Sequence, residues 1–336
     1  MHPLRRIVAT YVTPHRWSYL AGFGFIAVTN WLTVEVPMRI GLAIDAYASG
    51  GGVQGHLLAV ALMGLAVIVV RTLSRVLIFN PARSVEYSLR VDLFGRLLQH
   101  QPSFYGGRST GDIISRASND ITFARVFVGF GLMQAVNVTV ALGLTAWKML
   151  ALSPWLTLLA VVPIALSMVL ARTGIGRIFH LHRVGQEQLG ALSDHVLASF
   201  QGISTIQGFV AEDRFVDRFD ERNEALLDTR VKAAFLASVA FPALSLGGSL
   251  AVFVLLFVGG PMAASGELSV GQIAAFLTLL GILLPPLRSM GWMISIFQRG
   301  QVSLERIFEL LDAPIERPEG DTPVDVPQGA PAISLR

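Results

Sequence analysis

Long apolar segments alternate along the chain with two polar stretches that keep a helical rhythm. The apolar segments run roughly over residues 17–44, 56–79, 126–149, 150–171, 233–259 and 270–297. Each is near or above the roughly 20 residues that an α-helix needs to cross the hydrocarbon core of a bilayer. Three connections are short. Residues 48–55 are glycine-rich, residues 152–155 carry Ser153-Pro154, and residues 259–269 carry Gly259-Gly260-Pro261. The two long breaks, about 80–125 and 172–232, hold most of the charge and still repeat their apolar positions. Val85, Leu89, Leu93 and Leu97 recur every four residues, and Ile175, Ile178, Leu189, Leu192, Val196, Phe200 and Ile203 fall on one stripe. The pattern predicts an all-α membrane protein of six spans whose helices continue beyond the bilayer. About twenty extra residues at about 1.5 Å rise would carry each helix about 30 Å into water.

Composition agrees with that architecture. Of 336 residues, 53% are hydrophobic and 15% charged, against about a quarter charged in soluble domains. The net charge of +3 comes from single arginines spread along the chain, a pattern of membrane topology and not of nucleic-acid binding. With no cysteine, disulfides and thiolate metal sites are excluded. Residues 1–16 read as a cytoplasmic segment followed by a retained span, since no small-residue cleavage site follows at the right distance. Arg5, Arg6 and Arg16 precede the first span and six arginines of the first long break and seven arginines and Lys232 of the second follow, whereas the short connections offer only Lys148. The positive-inside rule therefore places both termini and both long breaks in the cytoplasm, in a multi-pass protein of the cell (plasma or inner) membrane.

After the last span an amphipathic helical end runs to about residue 312. Residues 313–331, with five prolines, read as an extended linker, and residues 332–336 alternate as if opening a strand. The organisation expected is thus a segment 1–16, a membrane domain 17–312, and a linker 313–336 leading into a further domain that has been cut away or is a separate chain.

The first long break contains Phe104-Tyr105, Gly111-Asp112, Ser115-Arg116 and Asn119-Asp120. The second contains Gln188-Leu189-Gly190 and then Gly202, Gly208-Phe209, Glu212-Asp213 and Phe215. Downstream come Gly266-Glu267-Leu268-Ser269, Pro286-Leu287 and Glu305-Arg306-Ile307-Phe308. In order and spacing these three stretches resemble the membrane domain of ABC exporters, over nearly the whole chain. The resemblance implies a multidrug- or lipid-exporter-like half transporter that works as a homo- or heterodimer. It would move an amphiphilic small molecule, lipid or peptide outward by alternating access. It also implies two short coupling helices, over residues 105–114 and 208–215, that seat on ATPase domains. Tyr105, Gly111, Asp112, Gly208, Phe209, Glu212, Asp213 and Phe215 would serve this coupling, and Phe104, Arg116, Asp120 and Gly202 would be signature positions with a structural role. Glycines at 111 and 208 would permit the sharp turns at the ends of the levers. The plain alternative is an ordinary helix–turn connection with glycines at its caps.

No phosphate-binding loop of the Gly-x-x-x-x-Gly-Lys-Ser/Thr type occurs. The nearest stretch, Gly106 to Gly111, is followed by Asp112, whose charge would repel phosphate. The chain by itself is therefore expected to be no enzyme and to carry no cofactor, with ATP and Mg²⁺ held by the missing nucleotide-binding domain. His180 and His182 lack a third ligand, so no metal site is expected. Ionisable and polar groups within spans are costly there and tend to face protein or water. Glu35 and Arg39 read first as a structural ion pair. Arg71, Gln134, Asn137 and Gln298 are the candidates for a substrate cavity, and Arg75 for snorkelling to the interface. Two rival readings differ in class. An ion-coupled secondary transporter would need buried carboxylates or inverted repeats, and Glu35 is the only acidic residue well inside a span. A membrane-anchored sensor or scaffold would explain the long helices but not Arg71.

Overall fold

The computed structural model describes residues 3–315, with the side chains at positions 171, 173, 241, 244 and 288 left aside. Of the linker and strand expected over 313–336, residues 316–336 lie outside the described residues. The described residues form helices and turns without a strand. Eleven α-helices follow one another: α1 (Pro3–Ile7), α2 (Arg16–Ala48), α3 (Gln54–Leu98), α4 (Pro102–Gly106), α5 (Thr110–Ser115), α6 (Ile121–Val126), α7 (Leu132–Leu152), α8 (Pro154–Gln201), α9 (Ile203–Gly208), α10 (Glu212–Ala264) and α11 (Val270–Leu311). Three π-helical stretches, Val8–Val12, Arg116–Asp120 and Phe127–Gly131, join helices without breaking them.

Six helical stretches are long and apolar enough to cross a membrane. The longest, α10, has 53 residues, about 80 Å at the α-helical rise, well over twice the thickness of a hydrocarbon core. The polar breaks in the sequence are thus continuations of the same rods. Prolines at 37, 81, 163, 242, 261, 285 and 286 sit inside helices, as membrane helices tolerate when neighbours re-satisfy the freed carbonyls.

The helices end where local chemistry stops them. Gly50, at φ +72°, closes α2. Ser153 adopts an extended backbone and its hydroxyl accepts from Leu156 N at 3.3 Å, an N-cap followed by Pro154 at the first helical position. Ser269 and Gln272 form a capping box on α11. Gln272 N donates to Ser269 Oγ at 3.0 Å, and Ser269 N to Gln272 Oε1 at 2.8 Å.

The chain divides into two compact units. Of the described residues, one comprises 3–33, 62–144 and 285–315; the other comprises 34–61 and 145–284. The first is built on the four-residue repeat of α3. Val85, Leu89 and Leu93 are buried with Ile7, Ile78, Phe104, Ile121, Phe127, Leu304, Ile307 and Phe308. Glycines allow close approach here: a Cβ on Gly129 would lie 2.9 Å from that of Ala82, and one on Gly300 would lie 2.7 Å from that of Phe127. In the second unit α8 pairs with α10, burying Ile164, Ile178 and Leu192 with Leu226, Ala233 and Ala240. The stripe expected along α8 holds as far as Val196; Phe200 and Ile203 are exposed. Within this unit the backbones of α2 and α11 touch at Gly41 and Gly271.

Candidate functional site

The first loop follows α3. His100 stacks on Phe104, rings 3.9 Å apart and 5° from parallel, and the Arg108 guanidinium lies 4.0 Å from the centre of the same ring. Phe104 is buried by this arrangement, and the Tyr105 hydroxyl donates to the carbonyl of Leu97 at 2.5 Å. A single helix over residues 105–114 is not what forms. Gly106 and Gly107 end α4, Ser109 is extended at ψ 126°, and α5 starts afresh at Thr110. Each of these glycines weakens a helix by about 0.5–1 kcal/mol, although the pairs Gly247-Gly248 and Gly259-Gly260 stay inside α10. Gly111 lies inside α5 and makes no turn.

Beyond α5 lies a charge cluster that the sequence did not reveal as one object. The Asp112 carboxylate accepts from Arg116 Nε at 2.8 Å and from Arg306 at 2.5 Å. Arg116 also donates to Glu309 Oε2 at 2.7 Å and to the carbonyl of Arg306 at 3.0 Å. Arg306 reaches Asp120 Oδ2 at 3.1 Å, and Ser303 Oγ donates to Asp120 Oδ1 at 2.9 Å. Burial alone would raise the Asp112 pKa, but its hydrogen bond from Arg306 and the nearby charge of Arg116 outweigh that and hold the carboxyl below its ordinary value. The cluster clamps the first loop to the end of α11. The sequence shows that Asp112, Arg116 and Asp120 recur every four residues, but nothing in it sets Arg306 and Glu309 opposite them.

The second loop is built differently. Gly202 caps α8, its N–H donating to Ala198 O at 3.0 Å, and the short α9 buries Ile206. The short helix of this loop is Ile203–Gly208, ahead of the expected residues 208–215. Glu212 and Asp213 already occupy the first turn of α10, where negative charge complements the helix N-terminus. Between them Phe209 and Val210 stand 81% and 85% exposed. Gly208 is not the residue that turns the chain: Val210 is, at φ +49°. Phe215 points back instead of outward. It stacks against His195 at 5.7 Å, and its carbonyl lies 3.2 Å from His195 Nε2.

The proposed cavity residues are not gathered by hydrogen bonds. Gln134 donates to Ser289 Oγ at 3.3 Å, Asn137 accepts from Asn30 at 3.0 Å, and Gln298 borders a cavity of about 250 Å³ with Leu4, Met293 and Phe297. Arg71 and Arg75 are exposed on α3. Glu35 does pair with Arg39, at 3.8 Å, but its nearer partner is Lys148 on α7 at 2.8 Å. Sequence spacing finds an i, i+4 pair and is blind to a cation more than a hundred residues away.

These helices can be set beside known proteins. The family model for the ABC transporter transmembrane region matches residues 19–287. The chain belongs to this family. Among curated relatives, the ABC transporter region is 28% identical to the probable multidrug resistance ABC transporter ATP-binding/permease protein YheI of Bacillus subtilis, over 92% of this chain and 54% of that protein. It is 25% identical to the multidrug resistance-like ATP-binding protein MdlA of Escherichia coli, over 94% of this chain and 55% of that protein. A fatty acid ABC transporter ATP-binding/permease protein of Mycobacterium tuberculosis is 26% identical over 78% of this chain and 41% of its own length. The chain spans about half the length of such relatives. As an ABC transporter membrane region it is a multi-pass helical membrane protein.

Proposed function

We propose that this chain is the membrane domain of an ATP-driven exporter that moves an amphiphilic or hydrophobic substrate out of the cytoplasm by alternating access, as a dimer of half transporters. The observation that carries the reading is the alignment of more than nine-tenths of the chain with an ATP-binding/permease protein and with an ATP-binding protein. The names of those relatives, multidrug and fatty acid transporters, point to an amphiphile as cargo. ATP and Mg²⁺ belong in this reading to ATPase domains. The negative charge of Asp112, next to Gly111 and engaged by Arg116 and Arg306, supports that reading.

Hydrolysis in water and translocation in the bilayer must be joined by stiff bodies, and helices of 42 to 53 residues supply them. The first loop is fixed to α11 by the arginine cluster, and the second presents an apolar tip, Phe209-Val210. Docking that tip in a groove of an ATPase domain removes apolar surface from water, and truncating a docked Phe typically costs about 3–5 kcal/mol. Phe209→Ala in the complete transporter is expected to uncouple transport from ATP hydrolysis while membrane insertion and yield stay normal. Transport and ATPase rates on matched amounts of folded protein decide it, and an unchanged ratio of transport to ATP refutes the coupling role of this tip.

A further inference from the structure

Within the first unit a cavity of about 290 Å³ opens between α3 and the junction of α6 with the π-helical stretch Phe127–Gly131. Phe79, Ala82, Val126, Gly129 and Phe130 form its wall, and Arg83 and Arg125 its rim. Its depth is fixed by the sequence. The apolar segment of α3 ends at Phe79 and the next begins at Val126, so Phe79, Val126, Gly129 and Phe130 lie on the hydrocarbon side of the boundary, with Ala82 and the rim arginines at its headgroup edge.

Charge at the rim is unbalanced. Glu86 receives Arg90 at 2.7 Å and Arg125 at 3.0 Å, while Arg83, exposed on the same helix one turn before Glu86, adds a further cation to the rim. The glycine at 129 lets this stretch close on Ala82 at the floor of the cavity, because a Cβ there would lie 2.9 Å from that of Ala82 and 3.5 Å from the Phe79 ring. The π-helical turn that carries it is a local departure of the kind often met at functional sites. Towards the hydrocarbon, Val69, Leu73 and Val76 stand exposed on the helical stripe that leads to Arg83.

We propose that this cavity is a binding site for an anionic membrane phospholipid, its phosphate between Arg83 and Arg125 and an acyl chain lying along Val76, Leu73 and Val69. Basic pockets between membrane helices at this depth suit an anionic headgroup, and guanidinium recognises phosphate through paired N–H donors. The site rests on the membrane assignment alone and is independent of what the protein transports.

The test is retention of added lipid by the purified full chain, read by native mass spectrometry in a mild detergent with phosphatidylglycerol, phosphatidylcholine or inorganic phosphate. Wild type is expected to retain phosphatidylglycerol in preference to phosphatidylcholine, with the preference falling between 50 mM and 500 mM salt, on the order of the screening lengths of those solutions. Arg83→Gln is expected to weaken that preference roughly fivefold and Arg83→Lys to restore part of it, as suits about 1 kcal/mol per basic residue near a membrane surface. Because Arg125 also holds Glu86, Arg125→Gln is read only beside its circular dichroism. A photoactivatable phosphatidylglycerol mapped on wild type, independent of any variant's folding, should label the segments around Phe79 and Phe130. Equal retention of the two lipids by wild type overturns the proposal. So do an unchanged preference in Arg83→Gln, competition by millimolar inorganic phosphate without lipid, and labelling blocked by a second copy of the chain on this face.

Discussion

Val210→Gly tests the geometry of the second loop most directly. Val210 is the one non-glycine residue with positive φ among the described residues, at +49°. Left-handed backbone costs an L-residue about 1–2 kcal/mol, and a β-branched side chain belongs at the upper end. The side chain is 85% exposed, so deleting it forfeits only a few tenths of a kcal/mol of burial. Glycine gives back about 0.5–1 kcal/mol through the greater freedom of its unfolded chain. The balance is a gain of about 0.5–1 kcal/mol, a rise in Tm of roughly 1–3 °C for a domain of this size. Thermal unfolding of the purified chain, with Val210→Asn as an intermediate and Val210→Ile as a neutral control, measures it. In the complete transporter the same substitution should weaken coupling, since the tip loses apolar area that docking would bury. Strain at an exposed apolar tip is the arrangement expected where folding stability is surrendered for a contact made elsewhere. A Tm equal to or below wild type for Val210→Gly, or an equal gain for Val210→Ile, refutes the reasoning.

Three further outcomes are expected. Arg116→Ala removes charge-assisted bonds to Asp112 and Glu309 and a bond to the Arg306 carbonyl from a side chain only 12% exposed. It should destabilise the chain by about 2–3 kcal/mol, with Arg116→Lys recovering little because a point charge cannot fork; a loss under about 0.5 kcal/mol by thermal unfolding contradicts the cluster. Since the folded state lowers the Asp112 pKa, its contribution is full above the ordinary carboxylate value and is lost as pH falls through the lowered one. The stability difference between wild type and Asp112→Asn should therefore shrink on acidification and stay flat from pH 6 to 8. Gly271→Ala would press a methyl group onto the Gly41 carbonyl and to within 2.6 Å of the Asp45 carboxylate, which itself accepts from Gly271 N and Ser269 Oγ. A loss of about 1–3 kcal/mol is expected, and unaltered unfolding would mean that α2 and α11 part freely.

Hydrophobic periodicity by itself determined that six helices cross a membrane and run on past it, because the constraint is local. Twenty apolar residues must find hydrocarbon, and Val85, Leu89 and Leu93 must share a face whatever they pack against. Turn glycines and serine caps likewise act within a turn or two, so breaks near Gly50 and Ser153 were legible, whereas Gly259-Gly260-Pro261 did not end α10, which runs on to Ala264. What tertiary structure decided were the partnerships between residues remote in the chain. Arg306 joins Asp112 and Asp120 across more than 180 residues, and Lys148 takes Glu35 across 113. No period or motif encodes such pairs, since each is fixed by where two rigid helices come to lie. The loops show the same division. Gly208 carried the local signal for a turn, yet the left-handed residue is Val210, because the packing of Ile206 and of Phe215 on His195 sets where α9 must stop and α10 begin. Local propensity of about 1–2 kcal/mol yields to such packing, and that is why the strained residue was invisible in the sequence.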